Sequence, residues 1–259
     1  MSADLHGRRP LRDELHYRRG LYLLPTLFTV GNMFCGYACV IFAMRGELTT
    51  AAPFIGVAVV LDMLDGRIAR MTRTSSAFGL ELDSLADVIS FGIAPAMLAF
   101  AWGLSELGRF WWAAGFVYVT AAAMRLARFN LQATAQIDKR YFVGMPSPAA
   151  AGLIAATVFA WPDPLTGVAR AVAAVLIVLV PAALMVSTMR FRSFKSINFG
   201  WTQSYIQIVI LAVGIAAIAS APEAALVLLA YGYLLSAFIE EGLVRYRLRR
   251  SGPPAAESP

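Results

Sequence analysis

Eight long apolar runs, parted by short polar or proline-containing breaks, set the pattern of this chain. They fall at about 21–44, 49–71, 85–104, 110–131, 146–162, 168–188, 204–220 and 222–243. Each approaches the roughly 20 residues that a helix needs to cross a bilayer. A helix also satisfies its own backbone groups, which hydrocarbon cannot do. The pattern therefore predicts an all-α fold: a polytopic transmembrane helix bundle of about eight spans, with six helices forming a core and two more at the C-terminal end. Pro162, Pro164 and Pro222 punctuate the breaks, as residues without an N–H should.

Composition agrees. Of 259 residues, 59% are hydrophobic and 15% charged, too apolar for an ordinary soluble domain of this length. The first apolar run comes late, is full length and lacks a small-residue cleavage site, so it is read as a span and not as a cleavable leader. Cys35 and Cys39, one helical turn apart in that run, are read as small packing residues. No internal repeat is visible.

The net charge of +6 gains meaning from its placement. With eight spans both termini lie on one side. That side then receives 19 of the 22 Lys and Arg residues, and the other holds only Arg45, Arg109 and Arg170. The bias places both termini in the cytoplasm and the basic faces against anionic lipid headgroups, with no call for nucleic acid. The chain divides into a basic cytoplasmic N-terminal segment (1–20), a membrane domain (21–200), two additional C-terminal transmembrane helices (201–243) and a cytoplasmic tail (244–259).

Four carboxylates interrupt the apolar pattern: Asp62 and Asp65, three apart, then Asp83 and Asp87, four apart. On helices, each pair lies on one face. An ionisable group inside a span marks a site by default. Two acidic pairs on neighbouring antiparallel helices repel unless a cation or an arginine network lies between them. Arg67, Arg70 and Arg73 are the nearby candidates for such a network. An all-oxygen set without His or Cys suits a hard cation, Mg²⁺ or Mn²⁺.

These residues form one pattern, Asp62-x-x-Asp65-Gly66-x-x-Ala69-Arg70, eight residues, then Gly79-x-x-x-Asp83-x-x-x-Asp87. It resembles the signature of the CDP-alcohol phosphotransferases at every fixed position, and the glycines set it apart from a salt-bridge network. The resemblance implies that Asp62, Asp65 and Asp83 bind metal, two ions per site. Asp87 would be the general base and touch the second ion. Gly66, Ala69, Arg70 and Gly79 would line the CDP moiety, with Thr29 from the first span. The family often opens that span with Pro-Asn-x-x-Thr; here Pro25 and Thr29 match but Thr26 replaces Asn, and Asn32 is a candidate substitute. The resemblance also implies a homodimer.

Longer stretches resemble the phosphatidylserine synthase branch: Ser76 to Pro95, Arg125-Leu126-Ala127-Arg128-Phe129-Asn130, Phe142 to Ala151, and Arg190-Phe191-Arg192-Ser193-Phe194-Lys195. That implies CDP-diacylglycerol and L-serine as substrates. Serine carries a carboxylate and an ammonium group, and Arg128, Asn130, Ser147, Arg190 and Lys195 are the candidates to bind it. Another acceptor alcohol is the neighbouring possibility. A cation-coupled transporter is the reading from another class, against which the missing repeat argues.

Overall fold

The computed structural model describes residues 11–72, 76–103, 110–134, 141–163, 167–192 and 204–250. They build an almost wholly helical bundle. The helices are α1 (Leu11–Met44), α2 (Leu48–Thr72), α3 (Ala77–Asp87), α4 (Ala94–Trp102), α5 (Phe110–Thr134), α6 (Ser147–Ala160), α7 (Val168–Val186), α8 (Ser204–Ser220) and α9 (Pro222–Arg250). A π-helical turn, Val88–Ile93, joins α3 to α4 without a break, so the described helices form eight rods. Those rods follow the eight apolar runs. By length and composition, Pro25–Met44, Leu48–Met71, Ala77–Trp102 and Pro222–Ile239 can each cross a membrane, and Ser147–Ala160 and Val172–Val186 are shorter apolar helices.

Two helices begin earlier than the apolar runs do. The chain is already helical at Leu11, inside the basic N-terminal segment and ten residues ahead of the first apolar run. The third rod starts at Ala77, not 85, because Ser76 caps it: the Gly79 N–H donates to Ser76 Oγ at 2.9 Å. The apolar count misses this polar first turn.

Small residues let the helices approach closely, as expected where lipid gives no hydrophobic drive to association. Cys39, Ala51, Ala58, Ala94, Ala122, Ala150 and Ala174 are fully buried. Cys35 is buried and both cysteines are free, in keeping with a packing role. α1 lies close against the π-turn. A Cβ on Gly36 would sit 2.6 Å from Ser90 Oγ and 2.8 Å from Ser90 Cα, so only glycine fits.

The π-turn has a visible cause. Pro95 lacks the N–H that would reach back to the carbonyl of Phe91. The freed oxygen accepts instead from Tyr118 Oη of α5 at 3.2 Å, and both residues are fully buried. Such turns concentrate at functional sites.

The sequence did not foretell one feature. β1 (Tyr141–Val143) pairs antiparallel with β2 (Arg190–Arg192), tying the chain ahead of α6 to the chain behind α7. Gly144 continues this clasp at φ +87°, where a Cβ would strike the Met185 carbonyl oxygen. Its N–H donates to Met189 O at 2.9 Å, and Met145 N–H donates to Leu184 O at 3.0 Å. The clasp fixes where α6 starts, and therefore where Ser147 sits.

α9 joins the bundle against α6: Ala237 is buried, and Thr157 Oγ1 and Tyr231 Oη share a hydrogen bond of 3.0 Å. α8 packs on α9 and leaves Ala212 to Ser220 exposed, an apolar surface suited to lipid.

Candidate metal and transfer site

The short connection between α2 and α3 brings the two acidic pairs to one place. Asp62 of α2 and Asp83 and Asp87 of α3 each offer a carboxylate oxygen, and these oxygens all lie within 4.8 Å of one another. Asp62 and Asp83 are half-buried, and Asp87 is buried with 9% of its surface exposed. Three like charges so close, partly out of water, are strongly unfavourable without a compensating cation.

Among the described residues, Asp83 Oδ1 is buried without a hydrogen-bond partner. Leaving such an atom unmet costs about 1–3 kcal/mol, more for a charged group. A hard divalent cation meets both demands, since its ligands are oxygens and it cancels their charge. The residues present therefore fit a metal.

Asp65 is placed differently. It is buried, lies outside the group of three, and accepts from Thr29 Oγ1 of α1 at 3.2 Å. The same hydroxyl lies 3.1 Å from Pro25 O, so its single proton is shared between two acceptors. Asp65 still lies within electrostatic reach of Asp62 and Asp83. Thr29, expected to line the nucleotide, is also a partner of Asp65. Asn32 is fully buried and donates from Nδ2 to Asp87 Oδ1 at 3.3 Å, so it bridges α1 and α3.

The remaining signature residues divide by role. Gly79 makes room for the Ser76 cap, since a Cβ there would stand 3.1 Å from Ser76 Oγ. A Cβ on Gly66 would meet only Arg70 Nη1, at an ordinary 3.7 Å, so the surface beside the acids is open at Gly66. Ala69 is half-buried and Arg70 exposed on the same helix.

Of the serine-binding candidates, Ser147 is fully buried and accepts from Arg125 Nη1 at 2.8 Å. Asn130 donates to Ser84 Oγ at 2.8 Å, linking α5 to the helix of Asp83 and Asp87. Arg128 is half-buried on α5. Arg190 lies in β2, where its backbone is paired with Val143 and its side chain is outside the described residues; Lys195 also lies outside them.

Arg125 is the residue that sequence reasoning passed over. Its guanidinium lies within electrostatic reach of both Asp62 and Asp87, is bonded to Ser147, and stands 6.0 Å from the centre of the Phe129 ring. The signal was present: a cation inside an apolar run, like the aspartates themselves.

Comparison with known proteins identifies the family of these helices. Residues 22–187, from α1 through α7, match the family model of the CDP-alcohol phosphatidyltransferases. The chain is 39% identical over 181 residues to a CDP-diacylglycerol–serine O-phosphatidyltransferase of Helicobacter pylori (strain ATCC 700392 / 26695), covering 69% of this chain and 76% of that protein. It is 34% identical to the protein of that name in Bacillus subtilis (strain 168), over 48% of this chain and 69% of the relative. For the one in Saccharomyces cerevisiae (strain ATCC 204508 / S288c), identity is 38% over 55% of this chain and 56% of the relative. The match spans the helices that carry all four aspartates, and the chain belongs to the CDP-alcohol phosphatidyltransferase family.

Proposed function

We propose that this protein transfers the phosphatidyl group of CDP-diacylglycerol to the hydroxyl of L-serine, yielding phosphatidylserine and CMP. The observation that carries the reading is the cluster of Asp62, Asp83 and Asp87, formed by the family signature inside membrane helices. Relatives named for this reaction support the choice of acceptor.

In this reaction the serine hydroxyl oxygen attacks the phosphorus of the phosphatidyl group. The bond from that phosphorus to the oxygen of CMP breaks, and CMP leaves with the electron pair. The hydroxyl proton must go to an acceptor. Asp87, the deepest carboxylate of α3 and the most buried of the cluster, takes it. Asp62, Asp83 and Asp87 would hold Mg²⁺ or Mn²⁺, and a second ion would draw on Asp65. Such metal, when bound, neutralises the diphosphate and the leaving phosphate. The rest is positioning, which is most of what phosphoryl transfer asks of a protein. Gly66, Ala69 and Arg70 flank the nucleotide. Arg125, held by Ser147, meets the serine carboxylate, with Arg128 and Asn130 on the same helix. Chelation should stop turnover, and added Mg²⁺ or Mn²⁺ should restore it. Full activity in excess chelator would remove the metal from the account.

The reaction is cytoplasmic in this reading. Residues 1–20 and 244–259 flank a membrane domain at 21–200 and the two further helices within 201–243. The 19-to-3 split of basic residues supports this orientation. Cysteines introduced near residues 75, 135 and 195 should react with impermeant label only after cells are opened. Labelling of any of them in intact cells would invert or redraw the topology.

A further inference from the structure

Asp87 is tied to its surroundings by more than its own helix. Its Oδ1 accepts from Asn32 Nδ2 at 3.3 Å. An ionised carboxylate only accepts, so the amide must turn its NH₂ group toward it. Asn32 is itself anchored: its backbone oxygen accepts from Ser90 Oγ at 2.8 Å. Ser90 belongs to the π-turn that follows Asp87, and it is pressed against Gly36, one turn along α1 from Asn32. A closed loop results, from Asp87 to Asn32, to Ser90, and back along the chain to Asp87.

The loop contains a flaw that a purely structural contact would not keep. Asn32 is fully buried, yet its Oδ1 has no hydrogen-bond partner among the described residues. A leucine, of the same branched shape, would leave no acceptor stranded there, so packing alone does not account for the amide. What the amide does offer is a single neutral donor to one oxygen of Asp87.

We infer that Asn32, braced by Ser90, is a positioning residue for Asp87, binding one carboxylate oxygen so that the other is presented to the acceptor hydroxyl. The inference rests on the reading of Asp87 as the proton acceptor. Asn32 touches no reacting atom in this account. Its loss frees the carboxylate to rotate and spoils the geometry of proton transfer, while Asp62, Asp83 and Asp65 remain to hold metal and the residues flanking the nucleotide stay in place.

The test is a double-mutant cycle on purified protein, read as kcat, KM for CDP-diacylglycerol and Mg²⁺ dependence. Asn32→Leu should lower kcat about ten- to a hundredfold and leave KM and Mg²⁺ dependence within about threefold. In an Asp87→Asn background the same change should cost less than about threefold, because the group it orients is gone. Ser90→Ala provides a milder arm if Asn32→Leu fails to fold: a loss of several-fold that likewise vanishes in the Asp87→Asn background. Equal losses in both backgrounds would overturn the inference and leave Asn32 a packing residue. Should Asp87→Asn alone keep its full rate, the base assignment fails instead, a separate outcome.

Discussion

Asp87→Asn should lower kcat a hundredfold or more, with CDP-diacylglycerol still bound. Asparagine keeps the shape of the side chain and removes its capacity to take a proton. Positioned general bases contribute roughly 10²–10⁴-fold, which sets the scale. Asp62 and Asp83 remain as ligands, and Asp65 stands one turn from Asp62. Asp65→Asn should behave otherwise. It removes a buried charge that is bonded to Thr29 and lies close to Asp62 and Asp83, so metal and nucleotide binding should weaken together. The two variants thus separate kcat from binding. If Asp87→Asn lost nucleotide binding as badly as Asp65→Asn, Asp87 would be chiefly a metal ligand. The base would then have to be sought elsewhere, at Glu81 or the amine of the substrate.

Much of this site was legible before any coordinates. The aspartates stood out because charge in an apolar run is costly, and their spacing placed each pair on one helix face. Their convergence followed from the short connection between the two helices. What the sequence could not show was how each carboxylate is met across the bundle. Asp65 turns to Thr29, 36 residues away, and Asp87 to Asn32, 55 residues away. Neither distance leaves a mark in a local pattern.

The π-turn was hidden for the same reason. Pro95 is visible and its missing hydrogen bond could be foreseen, but the group that donates to the freed carbonyl is Tyr118, on another helix. The β1–β2 clasp escaped notice because strands of three residues carry no periodicity to read. The helix starts at Leu11 and Ala77 lay outside the apolar runs, in polar sequence that hydropathy discounts.

Arg125→Gln should raise the KM for L-serine by roughly ten- to a hundredfold, the range expected from losing a hydrogen bond to a charged group. The KM for CDP-diacylglycerol should change little. Arg125 is suited to a carboxylate because its guanidinium presents a fixed fork of donors, and Ser147 occupies only part of it. Arg125→Lys should not restore the affinity, since a point charge cannot reproduce that geometry. The same cation also lies near Asp62 and Asp87, which suggests a different result if its task is to balance the cluster. Metal dependence would then shift while the KM for serine stayed constant, and the acceptor carboxylate would need another partner, with Arg128 next in line.

The most direct measurement follows CMP release and lipid product together. Purified protein is given CDP-diacylglycerol and Mg²⁺, with L-serine, glycerol 3-phosphate, inositol phosphate or choline supplied one at a time. The account predicts CMP release with L-serine, matched mole for mole by phosphatidylserine, and little release with the other three. CMP release coupled to a different alcohol would contradict the acceptor assignment, and no release with any of them would contradict the transferase itself.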